Sequence, residues 1–137
     1  MSAFRRLEVG LDELADFVLE EGRGFYRPVG SVSFDEAVAL VRAAVAATRK
    51  NQAQDILVDT TALTGFPSPT TIQRFFAAVE WAAEAGGCLR LAMVARAEMI
   101  DPEKFGVTVA RNRGLVSNIF TTEAEARAWL AESRLGG

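Results

Sequence analysis

Short apolar runs alternate with longer amphipathic segments along this chain, and that alternation constrains the fold more than any other feature. The runs at residues 4–9, 15–20, 55–59, 89–95 and 117–120 read as strands. Gly22-Arg23-Gly24 turns the chain early, and Phe25 to Pro28 looks extended, so the N-terminal part reads as a β-hairpin or meander. Ser33 and Glu36 have capping-box spacing and open a helix that ends near Asn51, with Phe34, Val38, Val41, Val45 and Thr48 on one face. Ser68-Pro69 pairs a good N-cap with proline at the first helical position. The helix behind it runs to Gly86-Gly87 with Ile72, Phe76, Val79 and Ala83 on its core face. Asp101-Pro102-Glu103 starts a third helix in the same way, closed by Gly114. Thr122 and Glu125 form a second capping box before a helix burying Ala126, Trp129 and Leu130. The reading is one α/β domain over residues 1–137. It has a mixed, mainly parallel sheet of four to five strands, an N-terminal β-hairpin and about four covering helices.

Composition then removes function classes. There is no histidine, which excludes the Ser-His-Asp triad and most zinc and copper sites. No acidic cluster has metal-ligand spacing, and no glycine-rich phosphate loop precedes a helix. The lysines, Lys50 and Lys104, read as solvated helix residues. No catalytic residue, metal or cofactor is expected. A net charge of -3 gives no global attraction for nucleic acid or anionic lipid. No apolar run spans a bilayer, and the first eight residues are charged without an apolar h-region. Cys88 is the sole cysteine and reads as a buried, inert thiol, which suits a reducing cytoplasm.

In an open α/β sheet, ligands bind beyond the carboxyl ends of the strands. Those ends carry Asp59, Thr61 and Thr64 after one strand, then Arg96 and Asp101 after the next. Ser68, Thr70 and Thr71 open a helix at the same edge, whose free N–H groups favour an anion. Capping alone also accounts for Ser68 and Asp101, and a turn accounts for Asp59. Asp59 at a strand end resembles the acceptor of receiver domains, but the acidic pair and the other partners of that site are missing, so this reading fails.

A wider likeness covers most of the chain. The stretch Ile56-Leu57-Val58-Asp59 through Phe66-Pro67-Ser68, together with the terminal helix Glu123-Ala124-Glu125-Ala126-Arg127-Ala128-Trp129-Leu130, resembles a STAS or SpoIIAA-like domain. That resemblance implies a non-enzymatic interaction or regulatory module, bacterial and cytoplasmic, with a protein partner or a second copy of itself. It also implies Ser68 as a phospho-switch position. Pro67 and Pro69 depart from the motif that surrounds the switch serine in that group. The alternative it leaves is a carrier holding a small apolar molecule in a pocket at the strand ends.

Helical phase bears on the partner. If Ile72, Phe76, Val79 and Ala83 face the core, Trp81 falls on the outer face with Arg74 and Ala78 beside it. An outward tryptophan among small residues is the kind of anchor that interfaces use, so Arg74, Ala78 and Trp81 are the expected interface residues of a homodimer.

Overall fold

A computed structural model describes residues 14–136. The apolar run at residues 4–9, expected as a first strand, lies outside the described residues. The elements in order are β1 (Phe17–Glu20), β2 (Arg23–Tyr26), β3 (Gly30–Ser31), α1 (Phe34–Lys50), β4 (Asp55–Asp59), β5 (Leu63–Thr64), α2 (Thr71–Ala85), β6 (Arg90–Val94), a single 3₁₀ turn (Ala97–Met99), α3 (Phe105–Asn112), β7 (Val116–Phe120) and α4 (Glu123–Gly136). The main sheet has five strands in the order β1-β2-β4-β6-β7. β1 and β2 form the antiparallel hairpin, and every other pair is parallel. The hairpin turns at Glu21-Gly22, so Arg23 and Gly24 belong to β2. β3 and β5 form a separate two-stranded parallel ladder.

Strand alternation divides the core between the two faces of the sheet. Tyr26, Ile56, Val58 and Leu91 pack beneath α1, α2 and α3. Phe25, Leu57, Ala92 and Val94 pack against Ala126 and Leu130 of α4. β4 is buried on both faces along nearly its whole length, which is why its apolar run is continuous. At the amino edge, Asp55 is fully buried between two arginines that share its register row, Arg23 on β2 and Arg90 on β6. Arg23 Nε donates to Asp55 Oδ1 at 2.7 Å, and Arg90 Nη2 lies 3.5 Å from Oδ2. One carboxylate thus ties three adjacent strands together.

The helix ends follow their caps. Ser33 and Glu36 complete a capping box on α1, and Asn51 closes it. α2 begins later than Ser68-Pro69 suggests. Its N-cap is Thr70, which forms a full capping box with Gln73. Ser68 is therefore not the cap; it is exposed, and its hydroxyl accepts from Arg74 Nη2 at 3.0 Å. A serine can cap only if the chain enters the helix directly after it, and Pro69 and Thr70 here complete the approach first. α3 also starts late, at Phe105, but Asp101 still serves it. Its carboxylate accepts the Phe105 amide at 2.8 Å and the Glu103 amide at 3.3 Å.

The phase of α2 is the main departure. Its buried residues are Ala77, Ala78, Ala82 and Ala85. Ile72 and Phe76 are 68% and 60% exposed, and Ala83 is exposed as well. Arg74, Ala78 and Trp81 lie on the side of α2 turned toward α1 and α3, not on its outer face. The reason is that the fully buried positions of α2 are all alanines, with Phe75, Val79 and Trp81 packed beside them, so apolar bulk lies on more than one face and does not mark the core side. Trp81 reaches across to α1, where its indole N–H donates to the Val38 carbonyl at 3.1 Å. Cys88 is exposed, not buried, because it follows the two left-handed glycines that end α2 and precedes β6.

Candidate functional site

The carboxyl edge of the sheet opens differently on its two faces. On the α4 face it is closed by charge. Arg27, just beyond β2, donates Nε to Glu123 Oε2 at 2.8 Å and Nη2 to Oε1 at 2.9 Å. This bidentate pair, led by the hydrogen bond from Arg27, holds the Glu123 carboxyl down to about 2. Asp59 faces the same carboxylate. Burial first, then the hydrogen bond to Glu123, pushes its carboxyl up from the usual range. Asp59 Oδ1 also accepts from the Thr61 amide at 2.9 Å and the Thr61 hydroxyl at 2.7 Å, which forms a local turn. Asp59 and Thr61 thus fit the turn role.

On the opposite face lies an apolar pocket of about 150 Å³ beneath α1, α2 and α3. Its walls include Phe34, Val38 and Val41 of α1, Trp81 and Ala78 of α2, and Met93 of β6. Phe66, from the loop after β5, also lines it and meets Phe34 edge to face at 5.6 Å between ring centres. Met99 comes from the 3₁₀ turn and Val107 and Ala110 from α3. The polar atoms come from few residues: Thr60, Arg74, Arg96, Asp101, Lys104, Ser117 and Asn118.

Of the ligand-edge residues expected from sequence, Arg96 and Asp101 line this pocket, whereas Asp59, Thr61 and Thr64 do not. Thr64 sits on β5 with its hydroxyl exposed toward the Gly30 carbonyl. Arg96 braces the loop that carries β5, donating Nη1 to the carbonyls of Thr61 and Leu63 at 3.2 and 3.0 Å. Arg74, Ala78 and Trp81 line the pocket as well. Lys104, expected as a solvated helix residue, is instead anchored: its ammonium donates to Asn118 Oδ1 at 2.8 Å and to the Ile119 carbonyl at 3.1 Å. It occupies the left-handed region, at φ 52°, just before α3. The sequence offered no signal for Lys104, Phe66 or Met99, because each lies in a loop or turn with no periodicity to read.

Among the described residues no three His, Cys, Asp or Glu side chains are grouped to hold a metal ion. No helix among them is long and apolar enough to cross a membrane. Fold and site together define a mixed α/β domain with an apolar pocket at the carboxyl edge of its sheet. Comparison with known protein families, with curated proteins and with solved structures finds no match to the chain.

Proposed function

We propose that this protein is a non-enzymatic, cytoplasmic binding module of the STAS or SpoIIAA-like kind that takes a small apolar molecule into the pocket beneath α1, α2 and α3. The pocket itself carries the reading. Protein interiors pack as densely as organic crystals, with few voids larger than a water. The pocket is a solvent-accessible apolar concavity of about 150 Å³ with few polar groups, the kind of surface that small-molecule sites use. A ligand that covers this apolar surface stabilises the folded state by mass action. The exposed, unpaired Cys88 thiol supports a reducing compartment.

Native mass spectrometry of protein purified without stripping tests the proposal. The expected result is an adduct that is lost on denaturation, or a thermal upshift when neutral apolar probes such as toluene and indole are added. Protein that carries no adduct and whose melting temperature is unmoved by either probe would refute it.

One observation favours a second reading, an interaction module. Ile72 and Phe76 present an exposed apolar pair on the outer face of α2. A partner or second copy would cover them. Changing both to serine should then convert any oligomer to monomer in light scattering without loss of folding. An unchanged mass across a dilution series would remove the interface from this face.

A further inference from the structure

The pocket is apolar in its body and cationic in its polar lining, and the two features together specify a class of ligand. Arg74, Arg96 and Lys104 line it against Asp101. The chain as a whole leans the other way, with a net charge of -3. Arg96 is paired with Glu98 at 3.0 Å. Counting Glu98 with Asp101, three cations meet two carboxylates, and one positive charge remains. Asp101 is itself engaged by the Phe105 and Glu103 amides. Arg74 donates to the Met99 carbonyl at 3.2 Å and to the Ser68 hydroxyl, both neutral acceptors. Lys104 likewise bonds two neutral oxygens, and its ammonium lies 5.4 Å from the centre of the Phe120 ring, so it meets no carboxylate among these contacts. A partly buried cation satisfied by neutral groups still favours an anion, because charge-assisted hydrogen bonds are the stronger ones.

We propose that the ligand is a monocarboxylate with a compact apolar body, its carboxylate held by Lys104 and Arg74 and its body lying among Trp81, Phe34, Phe66 and Met93. This rests on the reading of the pocket as a binding site. The size of the body follows from the volume. An engineered cavity of about 150 Å³ admits benzene, so the space here takes a phenyl ring or a short alkyl chain. The single excess charge matches a carboxylate and leaves a phosphate monoester under-neutralised.

The chain has two tryptophans, so in Trp129→Phe protein Trp81 alone reports on the pocket by its fluorescence. Phenylacetate, hexanoate and neutral 2-phenylethanol are titrated into it. Phenylacetate or hexanoate is expected to bind about tenfold more tightly than the alcohol, with the gap narrowing as salt rises. Lys104→Met should weaken carboxylate binding by about tenfold and leave the alcohol unchanged. If Lys104→Met does not fold, Arg74→Gln makes the same measurement. Equal binding of acid and alcohol overturns this proposal while leaving the pocket reading intact. Failure of all three probes overturns both.

Discussion

Trp81 separates the two accounts of α2 most sharply. It lines the pocket, is partly buried against the main core and donates its indole N–H to Val38 across α1. Replacing it with alanine removes its packing against the core and its hydrogen bond to α1. Buried Trp→Ala substitutions cost about 3–5 kcal/mol, and a side chain that keeps some exposure belongs near the lower end. Val38 lies inside α1, so its carbonyl still serves the helix ladder and is not orphaned by the change. The expected loss is therefore about 3 kcal/mol. In urea, where small proteins have slopes of about 1–3 kcal/mol per molar, the unfolding midpoint should fall by roughly 1–3 M. Trp81→Phe keeps most of the apolar contact and loses the hydrogen bond, so about 1 kcal/mol is expected. Far-UV circular dichroism against urea gives both numbers, and light scattering on the same samples gives mass. A midpoint that does not move while the mass drops from dimer to monomer would refute the inward placement and restore Trp81 as an interface anchor.

Thr70→Ala should cost about 1 kcal/mol because it removes the cap of α2, whereas Ser68→Ala should stay within about 0.5 kcal/mol; the reverse order in urea titration would return the cap to Ser68. Asp55→Ala strands two arginines at the amino edge of the sheet and should cost about 3–5 kcal/mol in the same assay; a loss below about 1 kcal/mol would mean that water already reaches them. The Glu123 carboxyl is held down by Arg27, so its contribution is fully present above the unfolded carboxylate range and is lost as pH falls from about 4.5 toward about 2. Asp59, pushed up by burial, works the opposite way and gives up stability as pH rises through its own titration, so Glu123→Gln is compared with wild type in Asp59→Asn protein. The difference should be about 1 kcal/mol at pH 6 and fade by pH 2; a pH-independent difference would show that Arg27 does not set it.

The order of elements was legible because it rests on signals that a chain carries locally. Ser33 and Glu36, Gly86, and the continuous apolar run of β4 each announce an end or a buried strand within a few residues. The phase of α2 was not legible, because two of its faces are apolar. Alanines lie inward and Ile72 and Phe76 outward, and only the neighbouring helices decide between them. The same ambiguity hid the pocket. Arg96 and Asp101 could be placed at the right edge from the strand order alone, but the pocket's walls come from Phe34, Phe66 and Trp81, which meet only in the folded chain. Asp59 stands at the same edge yet faces α4, since β4 ends with its side chains alternating between the two faces.

The two faces of that edge divide the work. On the α4 side, the Arg27–Glu123 pair and a core of Phe25, Leu57, Ala92 and Val94 leave little room. On the other side the space is left open, and a single substitution can ask whether it is truly open. Ala78 is buried on α2 and lines the pocket, so Ala78→Leu points three added carbons into it. In a filled core, overpacking of this kind costs about 1–3 kcal/mol. In a hollow one, the new side chain gains contacts and removes part of the void, so stability should hold or rise by about 1 kcal/mol. The same change takes up the space that a ligand's body needs, and phenylacetate or toluene should no longer bind. Stability gained as binding is lost is the pattern of a cavity kept for a ligand. A loss of about 2 kcal/mol in the unliganded protein would mean that the space is already filled by its own walls, and that α2 has no room to give.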